Sequence, residues 1–154
     1  MIKRKSTILI LVISILVLTN IFWSIRSKCF IKEFYAIDYN EIIEADILAV
    51  RINRNKVKSH TGTKFEIRDP KVIEMILFEV RNGESYEPNH PQYNNEFLLS
   101  LRTKSGKIFN ATLNTSGNDK YIYIYQIKKG FVTSDFKKLK SKKLFEFMRA
   151  EKLI

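Results

Sequence analysis

The chain has 154 residues, 27 Lys and Arg against 16 Asp and Glu for a formal net charge of +11, and one cysteine. A lone cysteine excludes an intrachain disulfide frame and any CxxC-based metal or redox site, and the part beyond Cys29 has the size of one domain with one core. The basic excess suits a polyanion or an anionic membrane face as a neighbour and equally serves solubility.

The stretch Ser6 to Ile25, STILILVISILVLTNIFWSI, carries no charge. About 20 residues at 1.5 Å rise reach roughly 30 Å, enough for a helix to cross a bilayer. Lys3, Arg4 and Lys5 precede it and Arg26, Lys28 and Lys32 follow, so both ends carry heads that can snorkel to lipid phosphates. Phe22 and Trp23 fall where amphipathic rings prefer the interface. A cleaved signal peptide would want a shorter apolar core and small residues of A-x-A type, for which Val17-Leu18-Thr19 is a poor match. Lipid attachment at Cys29 would need small, apolar residues where Arg26-Ser27-Lys28 stands.

The sequence therefore predicts an uncleaved signal anchor: residues 1–28 as tail and single transmembrane helix with its core at 6–25, in contact with membrane lipid. Residues 29–40 are expected as a juxtamembrane linker and 41–154 as an extracytoplasmic domain. Near-flank basic residues number three on each side, a tie under the positive-inside rule. The short basic tail resembles a secretory n-region that was never processed, which puts the amino terminus in the cytoplasm. Within the linker, Phe34 and Tyr35 either rest on the lipid surface or cap the domain core.

The five glycines, Gly62, Gly83, Gly106, Gly117 and Gly130, lie between apolar-patterned runs and divide the domain. A helical turn around Glu41 to Ala45 is expected, then a strand over Asp46 to Asn53, paired to a half-buried strand over Thr63 to Arg68. Asp69-Pro70 opens the best-defined helix: Asp69 can cap, Pro70 suits the first helical position and Gly83 ends it. Val72, Ile73, Met75, Ile76, Leu77 and Val80 make its apolar face. Asn82 to Asn95 has no aliphatic residue and two prolines, with Tyr86, His90 and Tyr93 among amides; it is either a contact surface or a plain connection.

Glu96 to Lys104 and Lys107 to Asn114 flank Ser105-Gly106, the chemistry of a tight hairpin. Over Lys120 to Lys128, Tyr121, Tyr123, Tyr125 and Ile127 alternate with Ile122, Ile124 and Gln126 in period two. A short strand at Phe131 to Thr133 follows, and Ser134-Asp135 resembles a helix start, with Phe136 to Lys152 as helix broken near Ser141. The predicted fold class is α+β: a transmembrane helix, then a small antiparallel sheet in the order ββαβββ(β)α with helices on one face.

The run from His60 to Pro70, HTGTKFEIRDP, with the apolar helix, hairpin and tyrosine-rich strand that follow it, resembles small membrane-anchored or lipid-attached bacterial domains of uncharacterised function. The resemblance covers roughly Ala45 to Met148. It implies the fold and an extracytoplasmic setting at the cell membrane, and transfers no catalytic residue.

No catalytic signature stands out. His60 and His90 are the only histidines and neither sits in an H-x-x-H or HExxH spacing, so no metal is expected. The glycines are isolated, unlike a phosphate cradle, and no G-x-S-x-G elbow occurs. No cofactor is expected and the chain reads as a non-enzyme. Asn110-Ala111-Thr112 and Asn114-Thr115-Ser116 match glycosylation acceptors, which matter only in a eukaryotic secretory route.

Tyr121, Tyr123 and Tyr125 form the one aromatic row with defined geometry; it either stacks on a ligand from an open sheet face or packs under a helix. The expected function is a small binding or inhibitory domain that contacts a protein or envelope polymer through Tyr86, His90, Tyr93, Tyr121, Tyr123 and Tyr125. The alternative is a polyanion- or membrane-surface binder using Lys137, Lys138, Lys140, Lys142 and Lys143, with nucleic acid disfavoured outside the cytoplasm. A cell-envelope enzyme is a third reading.

Overall fold

The structure, a computed structural model, describes residues 2–51, 64–86, 93–117, 119–129, 132–133 and 138–154. The first element is a single long helix, α1 (Ile2–Ala36). Its apolar side chains stand in the open, with Leu9 61 % and Leu18 64 % exposed. Soluble monomers rarely leave so large an apolar surface uncovered. Ile8–Ala36 is long and apolar enough to cross a membrane, which supports a membrane location.

The helix does not stop at the expected linker. It runs on to Ala36, because Phe30 and Phe34, one turn apart, fall on one face and insert into the domain core. The Phe30 ring stacks on Phe109 at 5.8 Å and Phe34 lies 5.7 Å from the same ring. Phe34 is thus a core residue, while its neighbour Tyr35 stays exposed and donates its hydroxyl to the Arg81 carbonyl at 3.3 Å. Where a helical turn was expected at Glu41 to Ala45, a 3-10 turn comes earlier, at Tyr39–Glu41, with the Asp38 carboxylate accepting from the Asn40 amide.

The sheet follows: β1 (Ile42–Arg51), β2 (Lys64–Ile67), then α2 (Pro70–Asn82), β3 (Glu84–Ser85), β4 (Tyr93–Thr103), β5 (Ile108–Ser116), β6 (Ile122–Lys129), β7 (Val132–Thr133), β8 (Leu139–Ser141) and α3 (Lys142–Ala150). Strand order is β2-β1-β4-β5-β6-β8-β3, antiparallel throughout, with β7 also paired to β6. The α+β class and the antiparallel layout match the sequence pattern. Ser105-Gly106 does turn β4 into β5, with Gly106 at φ +78°, a conformation that suits a residue without Cβ.

Alternation assigns the two faces. Ala45, Ile47, Phe97, Leu99, Leu101, Phe109, Ala111, Leu113, Ile122 and Ile124 all point one way and are buried. On this face α2 contributes Ile73, Ile76, Leu77 and Val80, and α3 contributes Leu144 and Met148, to one hydrophobic cluster that includes Phe30 and Phe34. At α2, Asp69 accepts from the Lys71 amide and Pro70 opens the helix, as the sequence predicts.

One strand and one helix differ from the sequence expectation. Ile127 does not share a face with the tyrosines: β6 shifts register between the Thr112–Gln126 and Leu113–Ile124 pairs, and the extra residue turns Ile127 into the core at 1 % exposure. The helix expected from Phe136 begins only at Lys142, because Leu139–Ser141 pairs with both β6 and β3 as a strand. The break anticipated at Ser141 is the helix start, where its hydroxyl accepts from the Leu144 amide. The expected starts at Thr63 and Phe131, and the segment from Ser134 to Lys137, lie outside the described residues.

Candidate functional site

The helices cover one face of the sheet, and the tyrosines occupy the other. Tyr93 stands opposite Ser116 at the end of β4 and Tyr123 opposite Asn114 on β6, so both point away from the Leu113–Ile124 core pair. Tyr86 follows β3, its amide donating to the Lys138 carbonyl at 3.2 Å, which places it beside β8.

Two stretches far apart in the sequence therefore meet. The Tyr86 and Tyr93 hydroxyls lie 2.9 Å apart, joining the two ends of the long connection. The Tyr86 ring sits 4.9 Å from Tyr123 edge-on, and Tyr93 lies 5.7 Å from Tyr123 and 6.0 Å from Tyr125. Such edge-to-face and tilted contacts are the favoured geometry for aromatic rings. Tyr123, only 7 % exposed, donates its hydroxyl to Asp119 at 2.5 Å, while Tyr86, Tyr93 and Tyr125 are half-buried. Burial raises the Tyr86 hydroxyl pKa well above its ordinary value, helped by the bond to Tyr93; burial, then the Asp119 bond, does the same for Tyr123.

Lysines frame this patch. Lys138 lies 5.5 Å from the Tyr125 ring and Lys140 4.6 Å from the Tyr121 ring, at cation–π distance. Lys140 also pairs with Glu84 at 3.4 Å. Lys142 and Lys143, by contrast, open α3, where Lys142 faces Glu146 at 3.8 Å. The lysine run is thus divided between β8 and α3. His60, His90 and Lys137 lie outside the described residues.

The patch has a defined place relative to α1. The chain enters the sheet at Ile42, opposite Thr103, at the end where the β4–β5 hairpin closes and where Phe109 receives Phe30 and Phe34. Tyr93 and Ser116 mark the opposite end. From Phe109 to Ser116 is seven steps of strand, which at roughly 3.3 Å each is about 23 Å.

Two features had no signal in the sequence because strand pairing assembles them. At the far end, a cleft of about 260 Å³ opens between the ends of β4 and β5 and α3, with Asp119 in its lining. At the β2 edge, Glu44, Asp46 and Glu66 bring carboxylate oxygens within 4.8 Å of one another. Lys64 sits 3.0 Å from Asp46 and 3.1 Å from Glu66, Arg68 sits 3.3 Å from Glu66, and Arg102 sits 3.3 Å from Glu44. The Asp46 and Glu66 carboxylates, toward which the Lys64 ammonium donates, raise its pKa, so the ammonium is held among the carboxylates where a cation would have to enter. Three cations balance three carboxylates, and the cluster reads as a structural ion network.

Compared with known proteins, the chain matches no family model, no curated protein and no solved structure.

Proposed function

We propose that this is a single-pass membrane protein with its amino terminus in the cytoplasm, and that its α+β domain is a non-catalytic extracytoplasmic binding module. The partner, a protein or an envelope polymer, is engaged through the tyrosine patch. One observation carries this reading: Tyr86, Tyr93, Tyr123 and Tyr125 converge on the sheet face opposite the helix-packed core, at the end remote from α1. Rings held by one another cost little further entropy on binding, and their faces and hydroxyls serve apolar and polar groups alike.

Two experiments test it. Cys29 is exposed just beyond the apolar segment, so a membrane-impermeant thiol reagent should label it on intact cells; labelling only after lysis reverses the orientation. A photo-crosslinking residue at position 125 should trap a partner that the same residue at Lys71, on α2, does not. Identical products from the two positions would refute the patch as the binding face.

A second reading draws on Lys138 and Lys140 beside Tyr125 and Tyr121: the same face binds a polyanion or an anionic membrane surface. Counterion release would make that binding fall steeply with salt. A partner retained unchanged across a salt series excludes it.

A further inference from the structure

The cleft at the far end of the sheet has a chemistry of its own. Asn94, Asn95, Thr115 and Ser116 line it, residues whose side chains are amides and hydroxyls, and Ile154 adds an apolar side chain. Amides and hydroxyls both donate and accept, which is the pattern that sugar hydroxyls match. The charged groups at the cleft, Arg149 from α3 and Asp119 from the β5–β6 turn, are opposite in sign. They offer bonds to polar groups, and the lining side chains carry no excess of one sign. The half-buried Phe145 adds an apolar ring of the kind that covers the C–H face of a pyranose. At about 260 Å³, the space lies below the roughly 300–1,000 Å³ of pockets for drug-sized ligands. One sugar ring suits it better than a larger group.

The cleft also adjoins the tyrosines. Asp119, in its lining, accepts the Tyr123 hydroxyl at 2.5 Å, and Ser116, also in its lining, pairs across the strands with Tyr93. The tyrosine-bearing sheet face and the cleft thus meet along one edge of the domain. Gly117 keeps that edge low: a Cβ there would overlap the side-chain amide nitrogen of Asn94.

We propose that this cleft is a saccharide subsite, holding one uncharged sugar ring of a linear glycan whose adjoining residues rest on the tyrosine patch. The inference builds on the reading of that patch as a binding face and names the class of polymer. Arg149 and Asn94 bond the ring hydroxyls, and Phe145 covers its apolar face. A peptide or an anionic glycan is the competing occupant.

The test is an NMR titration of the full-length, isotope-labelled chain in detergent micelles with an N-acetylglucosamine tetramer. An oligogalacturonate of equal length and a trialanine peptide serve as comparison ligands. The neutral tetramer should shift the Thr115, Ser116 and Gly117 amides saturably, together with the Tyr93 and Tyr123 ring signals. Arg149→Ala and Gly117→Ala, the second displacing the Asn94 amide, should each weaken the cleft shifts by about tenfold, the loss of one good hydrogen bond. Shifts at the tyrosine rings without shifts in the cleft overturn the subsite and leave the binding-face reading standing. Shifts in the cleft alone do the reverse. A preference for the anionic oligomer or the peptide, or no shift with the neutral tetramer, overturns the saccharide assignment.

Discussion

Arg81 holds Phe34 twice: its Nη2 donates to the Phe34 carbonyl while the guanidinium carbon stands 5.2 Å from the centre of the Phe34 ring. The same nitrogen donates to the Ile37 carbonyl at 2.8 Å. A cation at a helix C-terminus also suits the helix dipole. The last turn of α2 thus closes the end of α1, and the domain is packed directly onto that long apolar helix.

Removing that clamp should loosen the whole junction. Arg81→Met is expected to lower stability by about 2–4 kcal/mol, since two charge-assisted bonds from one guanidinium to the Phe34 and Ile37 carbonyls are lost. Arg81→Lys should restore less than half, because an ammonium lacks the planar face that lies over Phe34. Thermal unfolding of the full chain in detergent measures both, and wild-type stability in Arg81→Met would show the clamp to be idle.

Ser141 carries a comparable double duty. Its hydroxyl donates to Glu79 at 2.6 Å and accepts from the Leu144 amide at 2.9 Å, so it starts α3 and ties it to α2. Ser141→Ala should cost about 1–2 kcal/mol as a lost cap with a lost bond. A double-mutant cycle with Glu79→Gln should show coupling between the sites; additive losses would mean that the two residues act apart.

Gly83 is a close-approach glycine. A Cβ there would lie 2.9 Å from the carbonyl oxygens of both Glu79 and Lys140, groups fixed by α2 and β8. Gly83→Ala is therefore expected to cost about 1–3 kcal/mol through overpacking. Gly117→Ala meets only the mobile end of Asn94 and should cost less. Chemical denaturation of the two variants checks the order.

Alkaline pH should act on the tyrosine patch. Burial raises the hydroxyl pKa values of Tyr86, Tyr93 and Tyr123 above the ordinary 10.0. A raised pKa in the folded state means that the folded chain keeps protons which the unfolded chain releases. The stabilisation is complete below pH 10 and is lost as pH climbs from there toward the raised values. Phenolate absorbance followed during titration should show part of the tyrosine signal appearing only on unfolding. Full ionisation of all tyrosines in the folded protein near pH 10 would contradict the burial.

The apolar length of residues 6–25, the cap and proline of α2, the Ser105-Gly106 hairpin and the tyrosine-bearing strand were all legible from sequence, because each is written locally: in an uncharged run, a capping residue, a turn dipeptide or a period of two. Tertiary structure decided the rest. That Phe30 and Phe34 belong to the domain core depends on Phe109, far along the chain. That Ile127 turns inward depends on a register shift against β5, and that Leu139–Ser141 is a strand depends on β6 and β3 offering it an edge. The two candidate tyrosine groups became one patch because β3 and β8 bring Tyr86 beside Tyr123. Local periodicity carries no information on which distant strand will pair, and pairing is what assembles a surface from residues remote in sequence.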